Sequence, residues 1–137
     1  MGAGDLHRFV SAGEMVVEDS PWGPHEWLSR PDITEAEGLL LVRVRMPSGK
    51  GHAFHRHPAM EEIIYVVSGT AEQWVDRDSR TLGPANFAGE RMARKTSVSA
   101  PALYVPCTTS VGMWAMSPGP ALVDVSGEEP WASLRGR

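Results

Sequence analysis

The residues best suited to chemistry are crowded into one short window: His52, His55, His57, Glu61 and Glu62. His55 and His57 stand two apart, so on an extended strand both imidazoles leave the same face. Two neutral imidazoles and a carboxylate converging from neighbouring strands make a site for a divalent metal, and nitrogen and oxygen donors of this kind suit Zn, Ni, Mn or Fe. Parity chooses between the two glutamates. Glu62 shares its register with Ile64 and Val66, the inner face of an apolar run, whereas Glu61 has the opposite parity and reads as a solvated turn residue. His52 lies three from His55 and points away from it in a regular strand; it is kept as an additional candidate ligand. A buried, ionised Glu62 is costly without a partner, which argues for a cation or for a proton shared with a histidine. The plainer reading of the pair is two buried, hydrogen-bonded histidines with no metal.

These side chains must be held by short strands. Gly (14) and Pro (11) are spread through the chain and bound brief apolar runs, and no segment sustains a 3.6-residue apolar repeat; the pattern is that of an all-β sandwich or barrel. Candidate strands are Arg8 to Val10, Met15 to Val17, Leu39 to Met46, Ala53 to His57, Glu62 to Val67, Ala102 to Val105 and Val111 to Met116. Thr70 to Val75 reads as the hairpin partner of Glu62 to Val67, followed by a turn at Asp76 to Ser79. In the strand at residues 39–46, Leu40, Val42, Val44 and Met46 face one way and Arg43 and Arg45 the other. Trp22 to Leu28 is a Pro/Gly-punctuated segment with two tryptophans, and a turn-rich tail ends at Trp131, expected to pack back on the body.

At 137 residues the chain is read as one domain, with a barrel core at about 39–120, an N-terminal arm at 1–38 and a tail at 121–137. The net charge of −4 is scattered, and no basic stripe suggests nucleic acid. Arg91 to Lys95 is the one dense positive patch, read as a solvated loop or edge strand. A single cysteine, Cys107, excludes an internal disulfide framework and fits a reducing cytoplasm. No apolar run approaches the ~18 residues of a membrane helix, so the expectation is a cytoplasmic protein without membrane or nucleic-acid partners.

Gly49, His55, His57, Glu62 and Gly69 together match the spacing G-x5-H-x-H-x4-E-x6-G. That spacing resembles the first signature motif of the cupin family. The resemblance implies a jelly-roll β-barrel of two antiparallel sheets, a divalent metal held by His55, His57 and Glu62, and a homodimer. The family's second motif, which supplies a further histidine, is degenerate here, since no histidine follows His57. One register would put Ala100 at the ligand position and Tyr104 at the motif's last position; another would put Val111 at the ligand position. Three ligands leave open positions on a metal, as in 2-His-1-carboxylate sites. Gln73 and Tyr104 are candidate substrate-binding residues on the pocket wall. The function implied is a small metal-binding cupin acting on or binding a small organic molecule, with dioxygenase, isomerase or cyclase chemistry open. Two alternatives stand beside it: a non-catalytic small-molecule binder and a degenerate, metal-free barrel.

Overall fold

The computed structural model describes residues 9–90, 99–102, 110–117 and 122–134. Within them the chain forms two antiparallel sheets of a jelly roll. One has six strands in the order β1 (Val16–Glu18), β2 (His25–Ser29), β3 (Leu40–Met46), β10 (Ser110–Met116), β5 (Glu62–Ser68) and β8 (Phe87–Glu90). The other has five, in the order β11 (Val123–Asp124), β4 (His55–Arg56), β9 (Ser99–Ala102), β6 (Ala71–Val75) and β7 (Asp78–Leu82). Two one-turn helices, α1 (Pro31–Thr34) and α2 (Trp131–Leu134), complete the described elements.

Alternation in β3 and β5 builds the core. Val42, Val44 and Met46 are buried, as are Glu62, Ile64 and Val66, and with Ala71, Leu82 and Trp114 the apolar members form the main cluster. Arg43 and Arg45 leave the opposite face and pair with Glu26 of β2. Burial pushes the Glu26 carboxyl up, but the hydrogen bonds and charges of the two arginines outweigh it and hold the group below the usual carboxylate range. Both arginines are thereby committed to the outside of the barrel. A second cluster joins Phe54 and Val125, with Trp74, Trp131 and Leu134 packed against them. The Trp131 indole N–H donates to the Asp76 carbonyl at 3.2 Å, so the tail does fold back on the β6–β7 turn.

Several expectations are corrected. Residues 70–75 are not the hairpin partner of β5, because β10 and β8 occupy both of its edges. After Ser68 the chain crosses to the other sheet through Gly69, whose φ of +74° a side chain would resist; β6 then pairs with β7 and β9. The β6–β7 hairpin turns on Asp76 and Arg77 alone, since Val75 already faces Asp78. The segment at 22–28 contains a true strand, β2, which joins β3 with a bulge between Trp27 and Ser29. Phe9 and Val10 form no strand. The regular part of the histidine strand is only His55–Arg56.

Candidate metal centre and its cavity

His55, His57 and Glu62 come together. One ligand atom from each lies within 4.8 Å of the other two, and a modest contraction would close the group on a metal with bonds of about 2.1 Å. His55 is 2% and Glu62 7% exposed. β4 pairs His55 with Asp124 and Ser99 on its two sides, which fixes the backbone that carries the ring. His55 Nδ1 lies 2.7 Å from the Ala53 carbonyl. A carbonyl only accepts, so Nδ1 donates to it, and Nε2 is the ring nitrogen that a metal would use. Glu62 opens β5. Beside it the Glu61 N–H donates to Ser117 Oγ at 2.9 Å and the Ser117 N–H to the Glu61 carbonyl at 3.0 Å. This clasp keeps Glu61 outside and turns Glu62 in.

His57 Nε2 lies 3.6 Å from Glu62 Oε2, beyond a good hydrogen bond. Its Nδ1 is buried with no hydrogen-bond partner among the described residues. Burial pushes the His57 pKa below the ordinary histidine value, so the ring is neutral at pH 7. A neutral ring with an orphaned buried nitrogen, clustered with a carboxylate and a second imidazole, is a donor set that fits a divalent cation.

The triad lies at one side of a cavity of about 150 Å³. Its other walls come from the inner faces of β2, β3 and β10: His25 and Trp27, Val42 and Val44, Trp114 and Met116, closed by Trp22, His52 and Leu122. Their alignment follows from register, since His25 stands opposite Val44 and Trp27 opposite Val42. His52 is not one of the three clustered ligands. It stacks on Trp22, with ring centroids 4.5 Å apart and planes 12° apart, and lies 4.0 Å from the His55 ring. Gln73 is buried on the inner side of β6 with its amide donating to the Trp74 carbonyl at 3.1 Å; it does not line this cavity. Tyr104 and Cys107 lie outside the described residues, as does His7. Sequence reasoning did not place His25, Trp22 and Trp27 on the cavity wall. Alternation separates His25 and Trp27 from Glu26, but which of the two faces looks inward is set by the β2–β3 register.

Comparison with known proteins agrees with the fold. The family model described as Cupin domain matches residues 42–88. No curated protein matches. Among solved structures, the polyketide cyclase RemF from Streptomyces resistomycificus superposes with a TM-score of 0.71 at 16% identity, over 94% of this chain and 99% of that one. An RmlC-like cupin from Shewanella frigidimarina gives 0.69 at 18%, over 82% and 92%. KdgF from Halomonas sp. gives 0.66 at 20%, over 82% and 94%. At these identities the likeness is one of fold.

Proposed function

We propose, from its donor set, its jelly-roll fold and the Cupin domain match at residues 42–88, that the chain is a metal-dependent cupin acting on a small organic molecule inside the barrel. The observation that carries this is the convergence of His55, His57 and Glu62 on the wall of an otherwise largely apolar cavity. A bound divalent ion would act as a Lewis acid toward an oxygen of the ligand. The chain's own residues do the rest: His55 and His57 offer ring nitrogens, Glu62 offers a carboxylate oxygen, and the tryptophans and valines exclude water. Solved structures of this fold include a polyketide cyclase and a DMSP lyase, so a cyclase, isomerase, lyase or dioxygenase reaction is compatible with the scaffold.

The test is metal content. Protein purified without added metal, or titrated with Zn, Ni, Mn or Fe(II) near neutral pH, is expected to hold about one equivalent. Under about a tenth of an equivalent, with no rebinding, would overturn the reading. One feature favours a binding-only alternative: no histidine follows His57 to complete a four-ligand site. Metal and ligand bound stoichiometrically, with no turnover across enolisable, hydroxylated and carboxylated test compounds, would select it.

A homodimer and a cytoplasmic location belong to the same reading. Ile63, Tyr65 and Val67 stand exposed on the outer face of β5, an apolar face that supports the dimer. Light scattering that shows a monomer at micromolar concentration removes the dimer. Among the described residues no helix is long and apolar enough to cross a membrane.

A further inference from the structure

Outside the triad the cavity wall carries two polar side chains among the described residues, His52 and His25, and the geometry singles out His25. It lies on β2, far in sequence from the triad, and its ring is held in one orientation. Nδ1 sits 3.1 Å from the Gly23 carbonyl, which only accepts, so Nδ1 carries the hydrogen of the neutral ring. The same carbonyl receives the Ser20 hydroxyl at 2.7 Å, while the Gly23 N–H returns to the Ser20 carbonyl at 3.1 Å. Gly23 has φ +132°, and a Cβ there would collide with the Arg45 carbonyl oxygen, so the turn that aims this acceptor is open only to glycine. Trp22 meets the imidazole edge-on at 4.5 Å and Trp27 lies at 6.4 Å. What remains is Nε2, a lone pair on the opposite edge of the ring, with no hydrogen-bond partner among the described residues.

The charged and titratable groups around it are Glu18, its cross-strand neighbour on β1, and, on the wall of the same cavity, His52, His55, His57 and Glu62. Burial pushes the His25 pKa down and outweighs the opposing pull of the Gly23 carbonyl and the Glu18 charge. A cavity of about 150 Å³ is the size that encloses one benzene-like molecule. A ligand seated there with an oxygen on the metal side therefore has His25 within its reach.

Resting on the metal reading, we propose that His25 is the proton acceptor of the cavity: its Nε2 takes the proton that a hydroxyl-bearing ligand loses as its oxygen engages the metal. The step breaks one O–H bond and makes one N–H bond. It yields a metal-facing oxyanion and an imidazolium that keeps its Nδ1–H on the Gly23 carbonyl, with no change of oxidation state. The new anion beside the ring favours its charged form. The ligand class this selects is a small enol, phenol or hydroxamic acid, a molecule that binds by losing one acidic hydrogen.

Acetohydroxamic acid is the probe. Its binding to zinc-loaded protein is followed by calorimetry at pH 7 in two buffers of different ionisation enthalpy, which counts protons passed to solvent. The wild type is expected to release well under one proton and His25→Gln about one, with zinc content unchanged. Equal release by both proteins overturns the proposal and leaves the metal reading standing. Zinc that binds with no uptake of the hydroxamate also overturns it, because no ligand then reaches metal and His25 together. Failure to bind zinc sinks the metal reading and this step with it. In the wild type, nitrogen-15 spectra should show His25 protonated on Nδ1 at pH 7; protonation on Nε2 overturns the proposal without recourse to a variant.

Discussion

His57 shows how much a single buried nitrogen can say. A polar atom held in the barrel wall without a hydrogen bond costs on the order of 1–3 kcal/mol; here that atom is Nδ1, while Nε2 of the same ring lies 3.6 Å from the Glu62 carboxylate and the ring packs edge-on against the His55 imidazole. A cation satisfies all three groups at once. Substitution should therefore separate metal binding from folding. His57→Ala and Glu62→Gln are each expected to weaken zinc binding by more than about a hundredfold, above the usual loss for groups that merely orient a ligand. Glu62→Gln keeps the shape of its side chain, so the metal-free stability in a urea titration should change by no more than about 1 kcal/mol. A comparable loss of affinity from His52→Gln would show that the site extends beyond the three clustered residues.

Elements place these atoms, and two of them invite tests. Gly23→Ala drives a Cβ into the Arg45 carbonyl at a backbone angle that L residues avoid; a cost above about 2 kcal/mol is expected from urea unfolding. Its effect should fall on β2 and the His25 ring while the zinc affinity of the triad, held by β4 and β5, is retained. Phe54→Ala empties the second cluster beneath β4 and should cost about 3–5 kcal/mol. Here zinc affinity is expected to fall too, because His55 is the next residue. The alternation of β3 and β5 was readable directly from residue types, and it correctly placed Glu62 inward and Arg43 and Arg45 outward. Pairing was not readable. Nothing in the composition of residues 70–75 says that they leave β5, because that choice is made by β10 and β8 occupying its edges. Strand β7, Asp78-Ser-Arg-Thr-Leu, was missed for the same reason: it is almost wholly exposed and owes its conformation to β6 rather than to its own apolar pattern. The triad was legible because its spacing is local. The cavity wall opposite was not, since His25 and Trp27 reach it only through the β2–β3 register.

At the scale of the whole molecule, the proposed metal would draw on a histidine that is also buried by folding, so the stability of the barrel should depend on pH and metal together. Burial holds His25 and His57 below the ordinary histidine pKa, whereas in the unfolded chain they titrate near it. As pH falls through that ordinary value the unfolded state takes up protons that the folded state refuses, so stability drops; above it neither state binds them and the dependence vanishes. The metal adds to this with the same sign, because imidazole must be neutral to ligate. Zinc at a hundred times its dissociation constant should stabilise the fold by about 2.7 kcal/mol, seen as a rise in Tm at pH 7.5 that shrinks steadily below about pH 6. In His57→Phe the acid destabilisation should become shallower, since one of the two buried rings is gone, and the zinc-induced rise should be lost. A zinc effect that survives this substitution, or one that grows as the pH is lowered, would place the metal somewhere other than on these side chains.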